Sequence, residues 1–150
     1  MSVYGRFNIS LTPSFDASDF PWLDAGGVIA VANLRGGGEY GEAWHRAGML
    51  EKKQNVFDDF IACAETLVKE NITTPDRPGI IGGSNGGLLL AAAVTQSPEL
   101  FRAGLSLVPL PDMIRSHRFR IAKLWAPESG DPDKAEAFRS PSAYSPSHPA

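Results

Sequence analysis

The sequence predicts an α/β fold in which a mostly parallel sheet is flanked by helices. Three observations indicate this class: short apolar runs alternate with helix-periodic segments, the runs are continuous rather than alternating in polarity, and no internal repeat interrupts the order. Strands that are separated by a helix run parallel, because the helix returns the chain to the same edge of the sheet. The 150 residues, 43% hydrophobic and 21% charged, therefore form one domain or part of one.

The first segment is irregular and is followed by an apolar run. Prolines and aspartates punctuate residues 1–26, which predicts loop with room for one short strand around short apolar pieces such as residues 7–9. Residues 27–33 are continuously apolar, partly β-branched and bounded by glycine. This pattern predicts a strand that is buried on both faces.

The most regular segment of the sequence begins at Asn55. Its apolar side chains recur at steps of three and four, which predicts an amphipathic helix with Asn55 as its N-cap. Two prolines in residues 71–78 end this helix. The apolar stripe consists of Phe57, Phe60, Ile61, Ala64, Leu67 and Val68.

Two more strands and a buried helix are predicted after this point. Residues 79–82 form a short β-like run, and residues 86–94 are apolar on nearly every side, as in a buried helix. Residues 100–108 predict another strand. Beyond Pro109 the chain is polar and mixed, and the proline-rich residues 140–149 predict loop.

Charge and composition exclude several kinds of partner. The net charge is −3 and the sequence pI is about 5.6, so no nucleic-acid partner is expected. The densest basic stretch, residues 115–123, predicts a solvated face. Cys63 is the single cysteine, which precludes an internal disulfide, and its apolar surroundings indicate a small buried hydrophobe. No basic leader or membrane-length apolar segment is present, so a soluble, cytoplasmic protein with no membrane partner is expected.

The motif that carries chemistry is residues 82–86, Gly-Gly-Ser-Asn-Gly, which fit the G-x-S-x-G pattern between a strand and a helix. Glycines flank the serine because side chains there would collide with the adjoining strand and helix. Ser84 is therefore predicted to be a nucleophile, and the backbone N–H of Asn85 a donor to the oxyanion. The alternative is a flexible polar turn, but the flanking strand and helix favour the catalytic interpretation.

A serine nucleophile needs a histidine base and an acid, which in the α/β-hydrolase fold follow the serine on loops after later strands. Only one strand is predicted after Ser84. His117 and His148 do not follow a strand and His45 precedes the serine, so surface or structural roles are expected for all three. The prediction is an incomplete α/β-hydrolase fold that lacks its late strands and its catalytic acid and histidine.

Several blocks in order give the sequence a specific resemblance. Over essentially all of its 150 residues it resembles the catalytic domain of the prolyl oligopeptidase family of serine peptidases. The resemblance is far more specific than the serine motif alone. The blocks that carry it are residues 4–10, 32–41, 44–45, 53–55, 57–60, 82–87 and 144–146.

The resemblance implies a set of site residues. Ser84 is the implied nucleophile, the Asn85 backbone N–H and the Tyr4 hydroxyl form the implied oxyanion hole, and Phe7, Asn85 and Trp125 line a pocket for a proline ring. Apolar pyrrolidine packs well on aromatic faces, although core packing is the ordinary role of such aromatics. The implied substrate is a short proline-containing peptide, and no cofactor or metal is expected.

The sequence departs from the family pattern in two ways. The family usually has a second glycine in place of Arg6 and an aromatic residue in place of Ser129. In addition, the family's catalytic aspartate and histidine would lie beyond Ala150, and its β-propeller before Met1. Residues 1–150 are therefore expected to be a partial catalytic domain without the propeller, inactive alone and able to self-associate through an exposed sheet edge.

Two alternatives to a proline-specific peptidase stay open at this point. The chain could be a non-catalytic truncated product, or a domain that a partner chain completes. It could also belong to an esterase or an aminoacyl peptidase of the same fold, since a fold does not fix the substrate.

Overall fold

The computed structural model describes residues 1–119, 124–131 and 133–148. These residues contain a single parallel sheet of four strands. The strands are β1 (Ser2–Val3), β2 (Val31–Ala32), β3 (Gly79–Gly83) and β4 (Ala103–Leu107). Their spatial order is β2-β1-β3-β4, and every neighbouring pair is parallel. Ser2 lies beside Val31 on one side and Ile81 on the other, while Ile81 pairs with Leu105. The predicted α/β class with a mostly parallel sheet is confirmed.

Helices connect and flank these strands. Short 3-10 turns occur at Ala17–Asp19, Leu50–Lys52, Pro98–Leu100 and Ser116–Arg118. The α-helices of the described residues are α1 (Phe20–Asp24), α2 (Glu42–Arg46), α3 (Gln54–Lys69), α4 (Asn85–Gln96), α5 (Ala126–Ser129) and α6 (Ala135–Tyr144).

Helix α3 confirms the amphipathic prediction but not its predicted cap. Val56, Phe57 and Phe60 are completely buried on its inner face. The helix begins before Asn55, because the 3-10 turn leads directly into it through Lys53, whose φ of −59° and ψ of −29° are already helical. Asn55 therefore lies inside the helix, and its Nδ2 donates to the carbonyl of Ala47 at 2.8 Å.

Helix α4 is the buried helix that the apolar run predicts. Leu88, Leu89, Ala92 and Ala93 have no exposed surface, so both the sheet and α3 cover this helix. Burying side chains of this size contributes about 1.5–3 kcal/mol for each leucine. The strand–helix–strand unit made of β3, α4 and β4 is thus the centre of the described core.

The short strand of the amino-terminal segment lies at Ser2–Val3 and not at residues 7–9. Phe7 and Asn8 have φ values of 58° and 55°, which belong to turns and not to strands. The strand is nevertheless central, because β1 pairs with β2 and β3 on its two sides. The loop that leaves β1 consequently begins in the interior of the sheet.

The prediction of a strand buried on both faces over residues 27–33 is wrong. Only Val31–Ala32 pair, and Val28 and Val31 are 60% and 56% exposed. The reason is position: β2 is an edge strand, and within the described ranges it pairs with β1 alone. Strand β4 is the opposite edge and also exposes apolar side chains, among them Leu105. Self-association through these edges stays a prediction.

Residues 140–149 do not form the predicted loop throughout. Helix α6 continues to Tyr144 despite Pro141 within it. Packing explains the difference, because the Tyr144 ring lies 5.2 Å from the ring of Phe57 and the hydroxyl of Ser140 donates to a carbonyl in the Leu50–Lys52 turn. Tertiary contacts here outweigh the helix-breaking tendency of proline.

Two sequence predictions extend past the described residues. The basic stretch 115–123 contains the 3-10 turn at Ser116–Arg118, and its residues 120–123 lie outside the described residues, as does Pro149. Cys63 is half-buried against the core, and burial raises the pKa of its thiol. In the part of the chain that the structure covers, every helix falls short of the length and apolarity needed to cross a bilayer.

Candidate active site

Ser84 occupies the bend between β3 and α4. Its φ of 52° and ψ of −113° lie where residues other than glycine are seldom found, at a cost of roughly 1–3 kcal/mol. Backbone bonds hold the bend from both sides: the Ser84 N–H donates to the carbonyl of Leu107 in β4 at 2.9 Å, and the Ser84 carbonyl accepts from Gly87 at 3.1 Å. The sharp strand-to-helix bend that the motif predicts is therefore present.

The two flanking glycines make this bend possible. A Cβ on Gly82 would overlap the carbonyl oxygen of Gly86 and lie 2.5 Å from its carbonyl carbon. A Cβ on Gly86 would lie 2.6 Å from the carbonyl oxygen of Val3 at the end of β1. Both obstacles are backbone atoms, so neither can move aside without displacing a strand or a helix. The steric reason for the spacing of the motif is thus visible in the structure.

The start of α4 presents two polar groups. The Ser84 side chain is half-buried, and its hydroxyl has no hydrogen-bond partner among the described residues. The backbone N–H of Asn85, the first residue of α4, likewise has no acceptor in the described part of the chain. Unpaired N–H groups and the helix dipole at such a position favour a negatively charged group. This environment would stabilise an oxyanion formed next to Ser84.

The side chain of Asn85 connects α4 to the segment after β1. It has no exposed surface, its Nδ2 donates to the carbonyl of Tyr4 at 2.5 Å, and its Oδ1 accepts from Arg6 at 3.4 Å. Tyr4, the other predicted oxyanion residue, is thereby held beside the bend. The predicted contact of Asn85 with a proline ring stays a prediction.

Phe7 and Trp125, the predicted walls of a proline pocket, lie close together. Their ring centroids are 6.3 Å apart and the ring planes are inclined by 56°, which is a favourable aromatic arrangement. Trp125 precedes α5, whereas Phe7 belongs to the loop after β1. The structure thus brings two aromatic residues together that are far apart in the sequence.

A cluster of buried charged groups next to this site was missed by the sequence analysis. Arg6, Lys53 and Glu128 are 1%, 2% and 8% exposed. Glu128 lies between two partners, with Arg6 Nε at 3.9 Å and His45 Nε2 at 2.7 Å. Lys53 Nζ donates to the carbonyl of Gly5 at 3.3 Å. The only hint in the sequence is that Arg6 and Lys53 lie within residues 4–10 and 53–55, two of the blocks that carry the family resemblance.

The three histidines have partners other than Ser84. His45 pairs with Glu128, and His117 Nε2 lies 3.1 Å from a carboxylate oxygen of Asp133. His148 Nδ1 is 3.3 Å from the Ser145 hydroxyl. These positions agree with the structural roles expected for the histidines, and no described histidine forms a hydrogen bond with the serine.

We expect the buried ammonium of Lys53 to make stability depend on pH. Burial, assisted by Arg6 and opposed by Glu128, lowers the pKa of Lys53 to about 7. An unfolded chain keeps this proton up to its ordinary pKa of about 10.4, so between pH 7 and 10 the unfolded state binds more protons. The contribution of Lys53 to the free energy of unfolding therefore rises with pH by up to about 1.4 kcal/mol per unit.

The Lys53→Met variant tests this dependence. Urea unfolding from pH 7 to pH 10 should show the stability advantage of Lys53→Met over the wild type shrinking as the pH rises. Lys52→Met is the matched control, because the neighbouring lysine is exposed. Parallel stability curves for Lys53→Met and the wild type would contradict the lowered pKa.

The bend, its glycines and the free N–H at the start of α4 have the geometry of the nucleophile turn that is typical of serine hydrolases with the α/β-hydrolase fold. The chain belongs to the prolyl oligopeptidase family, whose model matches residues 13–149. Members of this family are peptidases.

Relatives and solved structures agree with this assignment. The chain is 46% identical to the prolyl endopeptidase of Dictyostelium discoideum and 44% identical to that of Elizabethkingia miricola. Each of these two alignments covers 97% of this chain. A structure from a study of two prolyl endopeptidases superimposes with a TM-score of 0.97 at 58% identity over 98% of this chain. A post-proline cleaving enzyme from Rickettsia typhi gives 0.96 at 42% identity over 99% of this chain. The chain spans only 19–21% of those two curated relatives and 22% of each structure.

Proposed function

We propose that the protein is a serine peptidase that cleaves peptides after proline and uses Ser84 as its nucleophile. The observation that carries the proposal is the strained backbone of Ser84 at the start of α4, with glycine on both flanks. Membership of the prolyl oligopeptidase family supports it, as do relatives that are named prolyl endopeptidases.

The proposed reaction is acyl transfer in two stages. The Ser84 Oγ attacks the carbonyl carbon of the peptide while its proton passes to a base, and the new oxyanion accepts hydrogen bonds from the Asn85 N–H and the Tyr4 hydroxyl. The C–N bond then breaks, the amine leaves with the proton, and water releases the acid from the acyl-enzyme.

We assign the base and its acid to residues outside the described part of the protein, because the described histidines pair elsewhere. A serine of ordinary acidity is a weak nucleophile without its base. The isolated 150-residue chain is therefore expected to turn over substrate several orders of magnitude more slowly than the protein with its base.

Phe7 and Trp125 provide the proposed recognition of proline. The pyrrolidine ring is compact and apolar, and the two inclined aromatic rings offer it an apolar surface to pack against. A peptide with a smaller residue before the cleaved bond would leave part of this wall uncovered, which lowers binding energy.

Matched substrates test the proposal on the protein expressed from its complete gene. One fluorogenic peptide carries proline before the cleaved bond, a second carries alanine at that position, and a third substrate is a simple ester. We expect kcat/KM for the proline peptide to exceed that for the alanine peptide by about 100-fold. Equal rates for the two peptides, or hydrolysis of the ester alone, would favour an aminoacyl peptidase or an esterase; activity on none of them would favour a non-catalytic product.

A further inference from the structure

Arg6 is the most deeply buried charged residue beside the serine bend, and its guanidinium reaches two other segments of the chain. One Nη donates to Asn85 Oδ1 at 3.4 Å at the start of α4. The other donates to the carbonyl of Trp125 at 3.5 Å and to the hydroxyl of Ser129 at the end of α5. The guanidinium carbon also lies 4.3 Å from the centroid of the Phe7 ring. A single side chain thus contacts the ring of Phe7, the backbone carbonyl of Trp125 and the residue that follows the serine.

Burying a cation is expensive, so the contacts that it makes must compensate for the lost hydration. Burial lowers the pKa of Arg6, while Tyr144 and Glu128 oppose this change. Ser129 contributes a small, buried side chain where the guanidinium needs space. Because Arg6 and Ser129 are in direct contact, they form one structural unit.

Arginine is suited to this arrangement and lysine is not. The planar guanidinium presents donors in several fixed directions, which lets it bond to acceptors on different segments at once. A lysine ammonium is a compact point charge on a flexible chain, and it would lose the simultaneous contacts. The geometry therefore depends on the fork of donors and not only on the positive charge.

On the basis of the proposed function, we propose that Arg6 is a specificity-determining positioning residue, which holds Trp125 opposite Phe7 and so fixes the width of the proline pocket next to Ser84. The residue acts through Trp125 and Phe7 and does not touch the reacting atoms. Its loss should therefore alter substrate preference and KM more than kcat.

The test compares Arg6→Lys with the wild type in the protein expressed from its complete gene, using the proline and alanine peptides. We expect the KM for the proline peptide to rise about tenfold, the kcat to stay within about threefold, and the alanine peptide to change by less than about twofold. Arg46→Lys is the matched control, because Arg46 is exposed and its partner among the described residues is Glu42 on the surface of α2. Equal increases in KM for both peptides, or a loss confined to kcat, would overturn the proposal.

A double-mutant cycle with Ser129→Ala separates positioning from general destabilisation. Ser129→Ala removes one partner and leaves the guanidinium in place, so a KM increase of about threefold is expected for the proline peptide. The double variant should then behave as Arg6→Lys alone, since both changes break the same contact. If the effects of Arg6→Lys and Ser129→Ala on KM are additive, the two residues do not act as one structural unit. If Arg6→Lys does not fold, Ser129→Ala alone still tests the proposal.

The environment of Trp125 can be measured by NMR, with no need for peptide cleavage. In protein labelled with 5-fluorotryptophan, the ¹⁹F signal that Trp125→Phe removes identifies this residue. Arg6→Lys and Ser129→Ala should shift that signal, whereas Arg46→Lys should leave it unchanged. An unmoved signal overturns the proposal whether or not peptides are cleaved. A wild-type protein that cleaves neither peptide contradicts the proposed function instead, and the signal alone then decides whether Arg6 positions Trp125.

Discussion

Replacing Ser84 with alanine is expected to reduce peptide cleavage by about a million-fold, because the substitution removes the oxygen that forms the acyl-enzyme bond in the proposed mechanism. The start of α4 and the Asn85 N–H would remain, so the small residual rate reflects binding and oxyanion stabilisation. A fluorophosphonate probe measures the nucleophile directly, since it bonds covalently to an activated serine. Labelling should disappear in Ser84→Ala when the protein is expressed from its complete gene.

The matched control for this experiment is Ser147→Ala. Ser147 is exposed, and its recorded hydrogen bond runs from its backbone N–H to the carbonyl of Pro111, so the hydroxyl can be removed without disturbing that contact. Labelling of Ser147→Ala should equal that of the wild type. Labelling that survives in Ser84→Ala would show that another residue is the nucleophile.

Gly82→Ala is expected to lower the free energy of unfolding by about 3 kcal/mol or more. The same substitution should also abolish labelling by the fluorophosphonate probe. The added methyl group would overlap the backbone of Gly86 in the first turn of α4, at 2.5 Å from its carbonyl carbon. Relief requires α4 to move away from β3, which opens the most tightly packed part of the described core. Urea unfolding measures the loss of stability.

Gly79→Ala provides the comparison within the same strand. A Cβ on Gly79 would have no atom within 4 Å, so this variant should lie within about 1 kcal/mol of the wild type and retain labelling. Similar unfolding midpoints for Gly82→Ala and Gly79→Ala would show that the bend tolerates a side chain. The steric account of the motif would then be wrong.

The elements that the sequence predicted are those with a repeating local pattern. Helix α3 has its apolar stripe, α4 is apolar all round, and β3 and β4 are apolar runs between turn residues. The position of strand β1 was not predicted, because two residues cannot display a period. The end of α6 was missed because Pro141 signals a break, while the contacts of Tyr144 that override this signal come from distant residues.

In the candidate site, too, local sequence patterns were predictable and contacts between distant residues were not. The Ser84 bend was predictable because glycines, strand and helix adjoin it in the sequence. The charged cluster was not, because Arg6 contacts residues 79 and 123 positions away, and nothing in a single charge tells a buried group from a solvated one. Roles for Tyr4 and Trp125 rested on resemblance, which the structure supplements with their positions.

The central position of β1 has a consequence for the order in which the molecule is built. Translation releases Tyr4 long before Asn85 has been made, yet the two are joined by a hydrogen bond across 81 positions of the chain. Closing such a long loop costs entropy that a local strand–helix–strand unit avoids. Ser84 can take up its bend within the later stretch of polypeptide, whereas Tyr4, the proposed oxyanion partner, reaches its place only when β1, made earlier, inserts between β2 and β3.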